Sequence, residues 1–139
     1  MDTFDDFPSS YENARSIGCF RAWCVRVIDG DTYDFILDIG ITVRVKVRMR
    51  LKDFDTAEIF HPRNDAEKAH GLEAREFVFN LIADKPCLVR TYRTSSGADL
   101  VTVGRYVADV YYQTADQPGQ WRDIKYPMHD AQLEKRSTY

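Results

Sequence analysis

A mainly β chain carrying one main helix (α+β) is predicted by three observations. Apolar and polar residues alternate along most of residues 19–51 and again along 87–112. A 3.6-residue apolar period follows Asp65. Turn-forming residues, Asp29-Gly30 among them, separate the alternating runs. Period two marks a strand with one face buried, and period 3.6 marks an amphipathic helix.

The elements follow in order. Trp23, Val25 and Val27 alternate with Cys24 and Arg26, which predicts strand one. Asp29-Gly30 is a hairpin signal. Tyr33, Phe35, Leu37 and Ile39 alternate with Asp34 and Asp38 to give strand two, and Gly40 breaks it. Ile41, Val43, Val45, Val47, Met49 and Leu51 then alternate with Thr42, Arg44, Lys46, Arg48 and Arg50. That run is long for a single strand, so a bend or bulge is expected within it.

Residues 53–65 read as a loop. Asp65 is the expected N-cap of a helix whose apolar face is Ala74, Phe77, Val78, Leu81 and Ile82. Gly71 weakens its first half and favours a late start. Asp84-Lys85-Pro86 ends it. Cys87 to Arg93 reads as strand four, residues 95–99 as a turn, and Leu100 to Tyr112 as strand five with a bulge at Gly104. A short C-terminal helix is expected over about 127–136, starting at Pro127. The order β-β-β-α-β-β, with the main helix between strands 3 and 4, is that of a small, partly open OB-fold barrel of five strands.

The chain of 139 residues is the size of one domain. Residues 1–16, rich in Asp2, Asp5, Asp6 and Glu12, are expected to be an acidic, flexible tail, and 17–139 the barrel domain. The net charge of −3, from 19 basic and 22 acidic residues, argues against a tight, non-specific duplex coat. It allows a local basic site, and Arg44, Lys46 and Arg48 are candidate nucleic-acid contacts. No stretch is apolar enough to span a membrane. The start of the chain lacks a secretory pattern, which suggests a cytoplasmic protein. Three cysteines with no C-x-x-C pair fit reduced thiols better than a disulfide or zinc framework.

Chemistry concentrates in two places. Asp29 and Asp31 flank Gly30, and Asp55 and Glu58 lie in the loop after the basic strand. A barrel pairing strands one to three can bring these segments together. Two carboxylates and a backbone carbonyl form a hard oxygen site suited to Ca²⁺ or a related divalent cation. Each segment alone is also ordinary turn chemistry. Arg50 and Arg105 are candidates to hold a phosphodiester in bidentate fashion.

Ile28-Asp29-Gly30-Asp31-Thr32, Arg50-Leu51-Lys52-Asp53-Phe54-Asp55-Thr56-Ala57-Glu58, His61-Pro62 with Glu67-Lys68, Gly71 and Glu73-Ala74, and Gly104-Arg105 occur in that order. Together they resemble the staphylococcal nuclease (thermonuclease, SNase-like) family from about Val25 to Ala108. The resemblance implies Ca²⁺ held by Asp31, Asp55 and the carbonyl of Thr56, with Asp29 behind them. It implies water activated by Glu58 and a phosphate held by Arg50 and Arg105. The reaction implied is Ca²⁺-dependent cleavage of DNA or RNA with little sequence specificity, leaving 3′-phosphate ends. The sequence departs from the family at Ala57, where proline is usual, and at Val103, where tyrosine is usual. Tyr106, Tyr111, Tyr112 and Tyr126 are candidates to stack on bases. A monomer acting on nucleic acid is expected. The alternative is a barrel of the same kind that binds nucleic acid or a protein without cleaving.

Overall fold

The structure is a computed structural model that describes residues 18–102 and 104–139. The expected acidic tail over 1–16, and Val103, lie outside the described residues.

Among the described residues, seven strands and two helices follow one another. They are β1 (Cys19–Asp29), β2 (Thr32–Asp38), β3 (Arg44–Leu51), α1 (Asp65–Ile82), β4 (Pro86–Thr91), β5 (Val101–Thr102), β6 (Arg105–Tyr112), β7 (Arg122–Asp123) and α2 (Lys125–Asp130). β1 pairs with β2 and β4, β2 with β3, and β4 with β6, all antiparallel. A parallel pairing of β3 with β6 closes the ring, so five strands form a closed barrel. The short strands β5 and β7 pair with β6 outside that ring. The main helix lies between β3 and β4 in the chain, as the periodicity predicts.

The core holds Cys24, Tyr33, Phe35, Met49, Val89 and Val110 from the barrel and Ala74, Val78 and Ile82 from α1. Phe77 and Leu81 pack against its margin. Ile124, Met128 and Leu133 cover it from the C-terminal side. Among the described residues, no helix is long and apolar enough to cross a membrane.

The structure revises four local expectations. The bulge lies in β1 rather than in the long basic run: the β1–β2 register shifts between Cys24 and Arg26 and again between Val27 and Asp29. An extra residue inverts the side-chain alternation. Ala22, Cys24 and Val27 therefore face the core, while Trp23 and Val25 stay exposed. Secondly, the basic run does not start at Ile41. Ile41 and Thr42 take positive φ of 47° and 61° in a turn, and β3 begins at Arg44.

Thirdly, the single strand expected over 100–112 is a hairpin, β5 then β6, with Gly104 at φ 75°. A glycine in the left-handed region turns the chain where a bulge was expected. Fourthly, both helix starts move. Asn64, not Asp65, caps α1, its side chain accepting from the Glu67 N–H at 3.0 Å. The helix is regular from Asp65 through Gly71. Gly71 is needed for packing: a Cβ there would lie 2.7 Å from the Ala57 carbonyl oxygen. The last helix spans 125–130, with Pro127 in its first turn, where a missing N–H costs nothing.

Candidate phosphodiester site

Asp31 sits in the turn between β1 and β2 and is buried. Its main-chain carbonyl accepts from the Leu51 N–H at 2.8 Å, which locks the turn to the end of β3. Thr32 pairs with Arg50 across the β2–β3 ladder. The ladder thus fixes Arg50 beside Asp31, although nineteen positions separate them in the chain.

Arg50 extends one nitrogen to the Asp31 carboxylate and another to the Asp55 carboxylate. One guanidinium bridges two acids, one buried and one largely exposed. Arg105 donates to the Thr32 hydroxyl at 3.3 Å, and that hydroxyl donates to Asp31 at 3.1 Å. The parallel pairing of Arg50 with Val107 brings β6, and Arg105 with it, to this end of the barrel. Tyr106 is exposed on the same strand, opposite Met49 in the pairing.

The loop after β3 is held from three sides. Its apolar residues Phe54, Ala57 and Ile59 are buried. The Thr56 N–H donates to Asp31 at 2.9 Å. The Asp55 carbonyl accepts from the Lys135 N–H at 2.7 Å, and Thr56 forms an antiparallel bridge with Glu134. Glu58 is exposed, with the Lys135 ammonium 3.8 Å from its carboxylate and 4.0 Å from that of buried Glu67.

The electrostatics of the acids differ sharply. Burial and the adjacent Asp31 carboxylate push Asp29 up to about 7. Burial also opposes charge on Asp31, but its hydrogen bonds with Asp29 and the Thr56 N–H, together with the Arg50 charge, outweigh it and hold Asp31 below the usual range. One acid is thus poised to hold a proton beside one that stays ionised. Arg50 is raised despite its burial because Asp31 and Asp55 face it.

Asp29, Asp31, Arg50, Asp55, Thr56 and Arg105 therefore gather around one end of the barrel. Glu58 shares their loop at its rim. Arg44, Lys46 and Arg48 alternate up β3 away from it, and Arg48 is already paired with Asp34 at 2.9 Å. Thr32 and Lys135 were not singled out in the sequence. The position of Thr32 next to Asp31 is a signal that could have found it; nothing local marks Lys135.

Asp31, Asp55 and the Thr56 carbonyl are the oxygen donors at this rim that could face a cation. Two carboxylates converge on one positive group, and the Thr56 hydroxyl is buried without a hydrogen-bond partner. Among the described residues, no group of three or more His, Cys, Asp or Glu could enclose a metal. No protein-family model matches the chain, and a search of curated proteins finds no match.

Proposed function

We propose that this chain is a divalent-cation-dependent nuclease of the staphylococcal nuclease kind, built on an OB-fold barrel and acting on DNA or RNA as a cytoplasmic monomer. The observation that carries the reading is the bridge of Arg50 between Asp31 and Asp55, with Arg105 linked to the same aspartate through Thr32. Two arginines and two carboxyl groups at one rim are an arrangement for phosphodiester hydrolysis.

Asp31, Asp55 and the Thr56 carbonyl are the groups that would hold Ca²⁺. Bound there, the ion would supply Lewis-acid polarisation of a phosphoryl oxygen. Arg50 and Arg105 hold the phosphate oxygens and stabilise the charge that builds up on them. Glu58 orients the attacking water and takes its proton. The water oxygen bonds to phosphorus as the bond to the 5′-oxygen breaks, and the departing 5′-oxygen takes a proton from solvent, leaving a 3′-phosphate and a 5′-hydroxyl. Asp29 lies behind Asp31, where burial and the Asp31 carboxylate raise it to about 7 in the metal-free protein.

The test uses purified protein with single-stranded DNA and RNA, in Ca²⁺ and in EDTA, beside Glu58→Gln. Cleavage that requires Ca²⁺ and falls by about 10²-fold or more in Glu58→Gln supports the assignment. Binding without cleavage in every divalent cation assigns the chain to the non-catalytic barrel instead.

A further inference from the structure

The β2–β3 ladder carries a second feature at its far end. Thr32↔Arg50, Asp34↔Arg48, Ile36↔Lys46 and Asp38↔Arg44 are successive cross-strand pairs that share one face of the sheet. From Thr32 to Asp38 the strand spans about 20 Å. There the face runs into an open cavity of about 590 Å³, lined by Trp23, Trp121, Ile36, Leu88, Arg21 and Arg44 among others.

The chemistry of this groove is specific. The chain has two tryptophans, and both line it. Trp23 is 42% exposed, and its indole N–H donates to Asp84 at 3.1 Å, which fixes the ring in place. Among the described residues neither indole stacks on another ring. Asp38, the one acid in the lining, is neutralised by Arg21 at 2.9 Å. Arg44 and, one step along β3, Lys46 are exposed and make no ion pair among the described residues. Aromatic faces beside exposed cations are what unpaired bases and their phosphates require. A duplex hides its base faces and would gain only the cations.

We propose that the Trp23–Trp121 groove is a binding site for unpaired nucleotides, holding a single strand whose scissile phosphate lies about 20 Å away at Arg50 and Arg105. The proposal rests on the nuclease reading for that second contact, while the groove itself stands on its own lining. Continuity along one face and charge favour a single strand over a peptide, since Arg44 and Lys46 offer cations to a repeating anion.

The two tryptophans make the site its own reporter. Intrinsic fluorescence is titrated in EDTA, so that nothing is cleaved, with a 20-nucleotide thymidine oligomer, a uridine oligomer, and a hairpin duplex of equal phosphate count. The single strands are expected to quench the emission with saturation, and the duplex to quench at least ten-fold more weakly. Trp121→Ala should weaken binding by about ten-fold, measured with a labelled oligomer. Arg44→Glu with Lys46→Glu should remove the quench and lower the slope of log affinity against log salt by about 1.4; both are exposed, so the fold should survive, checked by thermal melting. No quench by any single strand, or equal quench by the duplex, overturns the proposal. If cleavage in Ca²⁺ persists in that case, the nuclease reading stands and the groove alone is excluded. Quench without cleavage keeps the groove and removes the nuclease reading.

Discussion

The main-chain N–H of Thr56 donates to the Asp31 carboxylate at 2.9 Å, joining the turn after β1 to the loop after β3. The two segments meet because β2 and β3 pair from Thr32↔Arg50 onward. The junction sets the loop that carries Asp55 and Glu58 against Asp31.

Gly30 lies under the junction. A Cβ at Gly30 would sit 2.7 Å from the Thr56 methyl and 2.8 Å from both the Thr56 hydroxyl and the Ala74 Cβ. Gly30→Ala is therefore expected to cost about 1–3 kcal/mol through overpacking. Cleavage should fall further than the folded fraction does, because Thr56 moves. Urea denaturation and activity, measured on the same preparation at a temperature where the variant is folded, check both.

Arg50→Ala leaves buried Asp31 with its hydrogen bonds but without its cation. The partial exposure of Arg50 discounts the loss of the buried pair to about 1–3 kcal/mol. Activity should fall by 10²–10³-fold or more. Arg50→Lys keeps the charge but cannot bridge Asp31 and Asp55 with two nitrogens, so it should recover stability more than activity.

Asp29 makes stability depend on pH in the metal-free protein. Its folded pKa of about 7 is above the ordinary carboxylate value. Between about pH 4 and 7 the folded state therefore holds a proton that the unfolded chain has released. Stability from this group falls as pH rises through that window, by at most about 1.4 kcal/mol per pH unit. Asp31 acts oppositely: its contribution is present above the ordinary carboxylate value and is lost as pH falls through its lowered pKa. Asp29→Asn should flatten the decline toward pH 7, measured by urea denaturation in EDTA across pH 5–8. An unchanged slope in the variant would show that Asp29 does not hold the proton.

Lys135 bridges exposed Glu58 and buried Glu67 across 3.8 and 4.0 Å. Lys135→Met should cost about 0.5–1 kcal/mol, since the pair is partly solvated. If Lys135 steadies the Glu58 loop, kcat falls more than KM rises, and Lys135→Arg restores most of it.

Cys19 is exposed, while Cys24 and Cys87 are buried and all three are free. Burial pushes the Cys24 thiol up to about 12 and the Cys87 thiol higher still. A thiolate-selective reagent should therefore titrate one thiol in the native protein and three in denaturant. More than one fast-reacting thiol would place a buried strand at the surface.

The alternation of Tyr33, Phe35 and Leu37, and the helical spacing of Ala74, Val78 and Ile82, were legible because each pattern is local: a side chain's face follows from its place in the repeat. The same holds for the chemical types at Asp31, Arg50, Asp55, Glu58 and Arg105, which stand in the sequence as motifs. Trp23 and Val25 were misleading, because one extra residue in β1 inverts the face and leaves no mark on composition. The division of residues 100–112 into two strands turned on backbone conformation at Gly104.

The sequence by itself determined which residues can carry charge or pack a core, and the course of β2 and of the main helix. Only the tertiary structure decided what those residues meet. Closing β3 against β6 sets Arg105 near Arg50, and one guanidinium then joins Asp31 to Asp55. It also brings Lys135 to Glu58 and Trp121 to the groove of Trp23. These are contacts between segments distant in the chain, and their geometry comes from sheet register and packing, which no local window of residues contains.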